Sequence, residues 1–408
     1  MPKLLQINPV LRLSTSTGRI MREIGETAME HGWESYVAYS QGRDGVMECT
    51  SQIIPVGNKV DVAMHALGTR ILDRHGLCSK CSTEKFVEQI VSRDPDIIHI
   101  HNIHGYFLNY KILFDYLRDS NKKVVWTVHD CWLYTGHCYH YASANCQKWQ
   151  TGCQKCEQKG KFPASWFVDR SEKNYRDKKA AFTSLSRDNF VIVPVSEWMR
   201  KEMSASFLRD CKFQVIHNGI DLEKFRPVKS DILREKYGVT ERVVYLGVAS
   251  IWVKEKGLDD LIKMAQLLGD EERIVIVGKI PKKGIKFPDK ITHIPCTEDV
   301  NELVELYSCS TVLLNPTWQD NYPTVNLEAT ACGCPVVSYR TGGSPETIDF
   351  CTGKIVDQGS VEQMFHAARE ISKKNREDIR NKCVEYARQN FSKKDRYKDY
   401  IDLYLSML

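Results

Sequence analysis

Short, nearly continuous apolar runs alternate with longer stretches of helical periodicity along the 408 residues of the chain. Such runs are typical of parallel strands that are covered on both faces of a sheet. Helical spacing is clear in Gly18–His31 and Thr83–Ser92. The pattern therefore predicts an α/β fold with doubly wound parallel sheets. The predicted strands of the first half are Leu4–Ile7, Glu34–Ala38, Ile97–His101, Lys123–Val128, Phe190–Val195 and Phe213–Ile216.

A second series of strands begins after Pro227. Its members are Val243–Val248, Ile274–Val277, Thr292–Ile294, Thr311–Leu314 and Val336–Ser338. Since a chain of this length exceeds one core, we predict two Rossmann-like domains, residues 1–221 and 222–392. The last segment, residues 393–408, has apolar and aromatic residues at helical spacing. This predicts a helix with one face that packs against another part of the protein. The stripe on that face consists of Tyr397, Tyr400, Ile401, Tyr404 and Leu405.

Residues 320–346 carry the strongest candidate ligand site, with the sequence DNYPTVNLEATACGCPVVSYRTGGSPE. Asp320 lies in a predicted loop, and Glu328 lies about one turn inside a helix of small residues. Both carboxylates can point to the helix N-terminus, whose free N–H groups and dipole suit a phosphate. A carboxylate can also accept two hydrogen bonds from a ribose diol. The combination predicts a nucleotide-sugar, whereas two solvated acids on an ordinary helix would leave the T-G-G-S-P-E segment unexplained.

This segment resembles the donor-site signature of retaining glycosyltransferases of family 4, which is E-x7-E followed by G-G-x-P-E. Asp320 stands at the position of the first glutamate. The resemblance covers nearly the whole chain and is closest to bacterial transferases of colanic-acid and capsule pathways. It implies the GT-B fold, in which two Rossmann-like domains face each other across a cleft and the C-terminal helix, residues 393–408, packs back on the first domain.

The resemblance also assigns donor-binding residues. Lys256 with Gly257 matches the lysine of the family's G-R-x4-K-G element, where cations hold a diphosphate whose charge grows as the glycosyl bond breaks. The family's arginine is absent near Ser250, so we assign the second charge to Lys254. The full donor set is Lys254, Lys256, Asp320, Tyr322, Thr324, Glu328, Gly342 and Gly343.

Polar and aromatic residues follow the predicted strands of the first domain. The T-x-H-D sequence of Thr127–Asp130 resembles the family's histidine beside the reacting sugar, so His129 is expected to be catalytic together with Lys256 and Asp320. A structural histidine is the alternative, and the clustering of histidines after strand ends disfavours it. The predicted acceptor-side residues are Gly18, in the small-residue loop of residues 9–19, and His104, Asp130 and Trp132.

The chain contains 15 cysteines but neither an 18-residue apolar run nor an apolar signal sequence. We therefore expect a cytoplasmic protein, in which disulfides are rare. Cys138, Cys146, Cys153 and Cys156 are soft ligands that suit a structural zinc. Zinc and reduced, unliganded thiols both remain open.

The net charge of +5 arises in residues 1–200, which hold 26 Lys and Arg against 21 Asp and Glu. Basic and aromatic residues interleave in Lys155–Arg187, a pattern that suits an anionic membrane or a nucleic acid. Because this charge is weak, a solvated surface is the alternative. We expect no nucleic-acid partner, and any membrane contact to be peripheral and electrostatic, through the first domain at the inner face of the plasma membrane.

The expected function is transfer of a hexose, with retention, from a UDP- or GDP-sugar to a lipid-linked glycan of surface polysaccharide such as capsule or lipopolysaccharide. No catalytic metal is expected, since no D-x-D motif lies in a suitable loop. The chain has neither G-x-G-x-x-G after a strand nor a Walker A loop, which argues against a dehydrogenase or a P-loop enzyme. The alternatives are a non-catalytic GT-B subunit and another GT-B enzyme, such as a sugar epimerase.

Overall fold

The computed structural model of the protein describes residues 1–12, 15–40, 49–281 and 285–408. Contacts divide these residues into two units. Unit 1 comprises Met1–Ile216 with Tyr397–Leu408, and unit 2 comprises His217–Arg396. The domain boundary predicted from the sequence lies further along the chain, between residues 221 and 222.

Unit 1 is built on a seven-stranded parallel sheet in the order β3-β2-β1-β4-β5-β6-β7. Its strands are β1 (Lys3–Ile7), β2 (Glu34–Ser40), β3 (Gln52–Val56), β4 (Ile97–Ile100), β5 (Lys123–Val128), β6 (Phe190–Pro194) and β7 (Lys212–Phe213). Its first six helices are α1 (Ser16–Glu30), α2 (Lys59–Leu72), α3 (Lys80–Arg93), α4 (Tyr110–Ser120), α5 (Ser171–Phe182) and α6 (Glu197–Ser204).

Unit 2 is built on a six-stranded parallel sheet in the order β10-β9-β8-β11-β12-β13. Its strands are β8 (Val243–Ile251), β9 (Glu272–Lys279), β10 (Ile291–Ile294), β11 (Val312–Asn315), β12 (Val336–Tyr339) and β13 (Gly353–Val356). Its helices are α7 (Ile232–Glu235), α8 (Leu258–Ala265), α9 (Val300–Cys309), α10 (Thr324–Ala331), α11 (Val361–Ser372) and α12 (Arg376–Asn390).

The two sheets share one topology, with the first strand of each in the middle and the order reversing beside it. This is the doubly wound Rossmann order, so the predicted fold class is confirmed. In such sheets ligands bind beyond the carboxyl ends of the strands, where the order reverses. These switch points lie between β1 and β4 in unit 1, and between β8 and β11 in unit 2.

The last helix, α13 (Lys393–Met407), completes the core of unit 1 from Tyr397 onward. The hydroxyl groups of Tyr400 and Tyr404 reach Thr127 Oγ1 at 2.9 Å and His99 Nδ1 at 2.6 Å. The predicted stripe is wrong at one position, because Leu405 is exposed whereas Leu403 and Met407 are buried. Among the described residues, no helix combines the length and the hydrophobicity that crossing a bilayer requires.

Candidate active site

The loops that follow β8 and β11 meet at the switch point of unit 2. Lys256 lies in the first loop, Asp320 lies in the second, and Lys256 Nζ donates to Asp320 Oδ2 at 2.8 Å. The two side chains are 37% and 20% exposed, so the pair is within reach of a ligand. The other carboxylate oxygen, Asp320 Oδ1, accepts from the backbone N–H of Tyr322 at 3.3 Å.

Backbone contacts hold the lysine loop in place. Residues Lys254–Lys256 form a 3-10 turn that ends at Gly257, where φ is +76° and a Cβ would lie 2.1 Å from the Pro316 carbonyl oxygen. Only glycine allows this approach. The Trp318 N–H donates to the Glu255 carbonyl at 2.8 Å, which ties the two loops together. Lys254 opens the turn and is exposed to solvent.

Helix α10 begins beside this pair. Thr324 is its first residue, and no side chain caps its N-terminus. Tyr322, just before the helix, is buried and stacks on His217 with ring centroids 4.8 Å apart. Glu328 is buried in the second turn and accepts a hydrogen bond of 3.1 Å from the Tyr307 hydroxyl. The sequence pattern did not indicate Tyr307, which lies on α9.

The glycine pair lies directly against Asp320. At Gly342 φ is +53°, and a Cβ would lie only 1.8 Å from the Asp320 carbonyl oxygen. The N–H of Gly343 donates to this same oxygen at 3.3 Å. A side chain at position 342 would therefore push the two loops apart. The predicted donor residues Lys256, Asp320, Tyr322, Gly342 and Gly343 are thus joined by direct contacts.

Two consecutive side-chain hydrogen bonds connect helix α10 to its neighbours in unit 2. Asn315 Nδ2 donates to Asn326 Oδ1 at 2.8 Å, and Asn326 Nδ2 donates to Thr347 Oγ1 at 2.9 Å. These bonds tie the end of β11 to α10 and to the 3-10 turn Ser344–Thr347. Nothing in the spacing of Asn315 and Asn326 along the sequence indicates that the two side chains form a pair.

In unit 1, His129 follows β5. Its side chain is the last member of a series of hydrogen bonds that begins at Gln6 on β1, beside the switch point. Gln6 Nε2 donates to the Met21 carbonyl at 2.8 Å, so Gln6 Oε1 accepts from His101 Nε2 at 3.0 Å. His101 Nδ1 then accepts from His129 Nε2 at 3.1 Å. Burial lowers the pKa of His129 to about 4 even though Asp130 acts to raise it. His129 is therefore neutral at pH 7, with Nδ1 as its hydrogen-bond acceptor.

The other predicted acceptor-side residues occupy two places in unit 1. His104 Nε2 lies 3.0 Å from Asp130 Oδ2, and its ring stacks on Trp132. Burial acts to raise the pKa of Asp130, but His104 and the Trp132 N–H outweigh it and lower that pKa. Trp132 is itself buried, so it supports His104 from behind.

The other place is the first turn of α1, where Gly18 packs on the loop before the helix. A Cβ on Gly18 would lie 2.9 Å from the backbone oxygen of Arg12. Positions 13 and 14 of the predicted loop of residues 9–19 lie outside the described part of the chain.

The four cysteines of the predicted zinc site share one region of unit 1. The thiols of Cys138 and Cys156 are hydrogen-bonded, and Cys153 Sγ accepts from the Gly136 N–H at 3.1 Å. In the described part of the chain, however, no three His, Cys, Asp or Glu residues converge as metal ligands. The present arrangement therefore does not form a ligand set, and the zinc site stays a prediction.

Two open surface depressions of unit 2 lie away from these groups. One, of about 550 Å³, is lined by residues including Asp221, Arg226 and Glu305. The other, of about 480 Å³, is lined by residues including Arg242 and Arg376. Neither contains a residue of the predicted donor set. We assign the site by its chemistry, because Lys256, Asp320 and the glycine pair meet at the switch point, just before the N-terminus of α10.

Comparison with known proteins shows that this two-domain chain is a glycosyltransferase of the GT-B type. Residues 17–224 match the family described as Glycosyltransferase Family 4, and residues 240–374 match the family described as Glycosyl transferases group 1. The chain belongs to glycosyltransferase family 4.

Two relatives named as glycosyltransferases agree with this assignment. The chain is 24% identical, over 99% of its length and 100% of the relative's, to WcaC of Escherichia coli (strain K12), a glycosyl transferase named for colanic acid biosynthesis. It is 26% identical, over 43% of each chain, to a D-inositol 3-phosphate glycosyltransferase of Mycobacterium sp. (strain JLS).

Two solved structures share the fold over almost the whole chain. Sucrose-phosphate synthase of Thermosynechococcus elongatus superposes with a TM-score of 0.72 and 15% identity, covering 100% of this chain and 99% of that one. Anabaena Alr3699/HepE in complex with UDP-glucose superposes with a TM-score of 0.68 and 14% identity, covering 100% of both chains.

Proposed function

We propose that this enzyme transfers a hexosyl group from a UDP- or GDP-sugar to an acceptor hydroxyl, with retention at the anomeric carbon. The observation that carries the proposal is the Lys256–Asp320 pair at the switch point of unit 2, just before α10, the helix that contains the buried Glu328. A cation, two carboxylates and an uncapped helix N-terminus are complementary to a nucleoside diphosphate sugar. The UDP-glucose that Anabaena HepE binds is consistent with such a donor.

Each group has a distinct task in this proposal. Glu328 accepts hydrogen bonds from the ribose diol and is held by Tyr307. Lys256 binds the diphosphate, and the first turn of α10 adds backbone N–H groups. Asp320 accepts hydrogen bonds from hydroxyls of the transferred sugar. Lys254, which is exposed, supplies the second cation in place of the arginine that the family carries near position 250.

The transfer breaks the bond between the anomeric carbon and the diphosphate oxygen, and the acceptor oxygen bonds to the same face of that carbon. The acceptor proton passes to the departing diphosphate, so no enzyme nucleophile is needed. Lys256 stabilises the charge that develops on the leaving group. Neutral His129 accepts a hydrogen bond from the reacting sugar and orients it.

We propose a lipid-linked glycan of surface polysaccharide as the acceptor. The support is the full-length similarity to WcaC, whose name places that protein in colanic acid biosynthesis. His104, Asp130 and the Gly18 turn are the groups assigned to this side. Incubation with radiolabelled nucleotide-sugars and a lipid extract would show transfer as label in the lipid phase, and NMR of the product would give the anomeric configuration.

Glu328 provides the sharpest test of the donor site. We expect Glu328→Ala to lower kcat/KM for the donor by roughly 10- to 1000-fold, since each lost hydrogen bond to a buried group costs about 1–3 kcal/mol. Tyr307→Phe should have a smaller effect, because it removes only a supporting bond. The exposed Glu377→Gln is the matched control. Unchanged kinetics in Glu328→Ala would contradict the proposal.

A non-catalytic subunit is the second candidate, and the missing arginine and the aspartate at position 320 favour it. The wild-type protein separates the two. Donor hydrolysis or transfer supports an enzyme, whereas binding of the nucleotide-sugar without turnover supports the subunit.

A further inference from the structure

Helix α2 carries apolar residues on the face that is turned to solvent. Its buried residues are His65, Ala66 and Thr69. Ordinary surface helices show the opposite pattern, as in α1, where Ile20 and Ile24 are among the buried residues. The packing of α2 on unit 1 therefore does not explain its apolar side chains.

The exposed residues form one stripe along the helix. Val60, Met64, Leu67 and Ile71 are spaced by four, three and four positions, and they are 38% to 69% exposed. This spacing places them on one side of a helix. The helix itself is fixed by local bonds, because Asn58 Oδ1 accepts from the N–H groups of Val60 and Asp61 at 2.8 and 3.0 Å. The stripe is thus not needed to form the helix.

The segment of residues 162–168 extends this apolar surface. The Trp166 N–H donates to the Arg70 carbonyl at 2.7 Å, and the Arg70 guanidinium lies 5.6 Å from the Trp166 ring centre. Trp166 is 58% exposed, and Phe167 beside it is also exposed. Of the 19 large apolar residues exposed in the described chain, five lie in α2 and four in residues 162–168. Exposed apolar side chains are therefore concentrated here.

Basic groups border the same surface. Lys59 opens α2, Arg70 lies over Trp166, and Lys159 Nζ donates to the Phe167 carbonyl at 3.4 Å. An apolar stripe with a tryptophan and a basic margin suits the headgroup region of a bilayer that contains anionic lipids. The chain's net charge of +5 has the same sign.

A second copy of the chain fits this surface less well. A helix of 14 residues is about 21 Å long and about 10 Å wide, so its stripe offers on the order of 200 Å². Residues 162–168 add roughly as much, which brings the surface to about 400 Å². A stable interface buries about 800 Å² on each partner. A bilayer sets no such threshold, because each inserted side chain adds its own transfer free energy.

We propose that this surface, helix α2 with residues 162–168, docks on an anionic phospholipid bilayer and inserts its apolar stripe between the headgroups. The contact is hydrophobic as well as electrostatic, which goes beyond the expectation from the sequence. It does not rest on the sugar-transfer proposal, since vesicle binding needs neither donor nor acceptor.

Co-sedimentation with vesicles tests the proposal, using phosphatidylcholine vesicles with and without phosphatidylglycerol. We expect wild type to bind the anionic vesicles and to keep part of this binding at about 1 M salt, where the Debye length is about 3 Å. Met64→Gln/Leu67→Gln should bind at least about tenfold more weakly, because two buried apolar side chains are lost. Glutamine is chosen because it leaves the net charge unchanged.

Phe350→Gln is the matched control, because Phe350 is 84% exposed in unit 2, and it should bind as wild type does. Thermal melting and donor hydrolysis should be unchanged in all three proteins, which excludes misfolding as the cause. Equal vesicle binding by the double variant and wild type would overturn the proposal. So would a wild-type dimer that the double variant dissociates, which would identify the surface as a contact between copies.

Discussion

Lys256 and Asp320 lie 64 positions apart in the chain, yet their charged groups meet at 2.8 Å. Without a donor, the carboxylate neutralises a partly exposed ammonium at the switch point. An entering diphosphate carries more negative charge than one carboxylate, so we expect it to draw the ammonium away. Asp320 is then left to accept hydrogen bonds from the sugar. The pair would thus act as a unit during donor binding.

This coupling can be measured with a double-mutant cycle. We expect Lys256→Met to lower kcat about 100-fold, the scale for losing one charge-stabilising group. Because the two side chains are in contact, Lys256→Met/Asp320→Asn should lose less activity than the two single effects multiplied. Lys254→Met is the control and should cost less than Lys256→Met. Additive losses, or a larger loss at Lys254, would count against the assignment.

The sequence indicates candidate site residues that belong to a motif, but it does not indicate which other residues hydrogen-bond to them. Glu328, Lys256 and Gly342 stand at fixed offsets in a motif, so the sequence alone could select them as candidates. Tyr307 and Gln6 are held in place by long-range contacts, and neither has neighbours in the sequence that indicate a site. Asn326 lies within the motif itself, but its bonds to β11 and to the turn after the glycine pair depend on the folded structure.

At the scale of elements, the strands that were predicted are mostly buried apolar runs. The two that were missed, β3 and β13, are the outer strands of their sheets. Strand β3 contains Pro55, which an edge strand tolerates, and β13 begins with Gly353. Periodicity therefore predicts the centre of each sheet better than its edges.

Strand β9 is joined to helix α11 by an ion pair. Arg369 Nε and Nη2 donate to the two oxygens of Glu272 at 2.9 and 2.6 Å, and the Tyr245 hydroxyl adds a third bond. We expect Glu272→Gln to destabilise unit 2 by about 1–3 kcal/mol, seen as faster hydrogen exchange in β9 and α11. The exposed pair Lys354–Glu370 is the control, and Glu370→Gln should leave exchange unchanged. Equal hydrogen-exchange rates in Glu272→Gln and Glu370→Gln would contradict a stabilising role for the Glu272–Arg369 pair.

The loop of residues 135–156 contains the four cysteines that are predicted to bind zinc. Burial raises the pKa of Cys153 to about 11, whereas the hydrogen bond from Cys138 lowers the pKa of Cys156. If the four thiols bind zinc, metal analysis of untagged protein should find about one zinc per chain, and chelation should make the thiols reactive. Metal-free protein with full activity and four freely alkylated cysteines would contradict the zinc site.

At the scale of the whole molecule, unit 1 contains a set of buried histidines. Burial lowers the pKa of His65 to about 3 and that of His129 to about 4, and it lowers those of His75, His99 and His101 well below the usual value. These side chains stay neutral in the folded unit at pH values where the unfolded chain is already protonated. Burial also acts to lower the pKa of His137, but the bond to Asp73 outweighs this and raises it.

The sign of the resulting pH dependence follows from proton linkage. Below about pH 6.5 the unfolded chain binds more protons than the folded unit, so stability falls as the pH is lowered toward 4, by at most about 1.4 kcal/mol per pH unit for each buried histidine. His137 acts in the opposite direction, because its contribution is present below pH 6.5 and is lost as the pH rises through its folded pKa. Five groups therefore oppose one, and acid should destabilise unit 1.

Urea unfolding from pH 7.5 to pH 5 measures this effect. Six of the eight tryptophans lie in unit 1, so fluorescence reports mainly on that unit. We expect the urea midpoint to fall steadily below about pH 6.5, where unperturbed histidine titrates. His65→Gln should make the fall less steep by removing one of the titrating groups, whereas His31→Gln, at an exposed position, should leave it as in wild type. A midpoint that stays constant across this range would show that the buried histidines are already compensated within the fold.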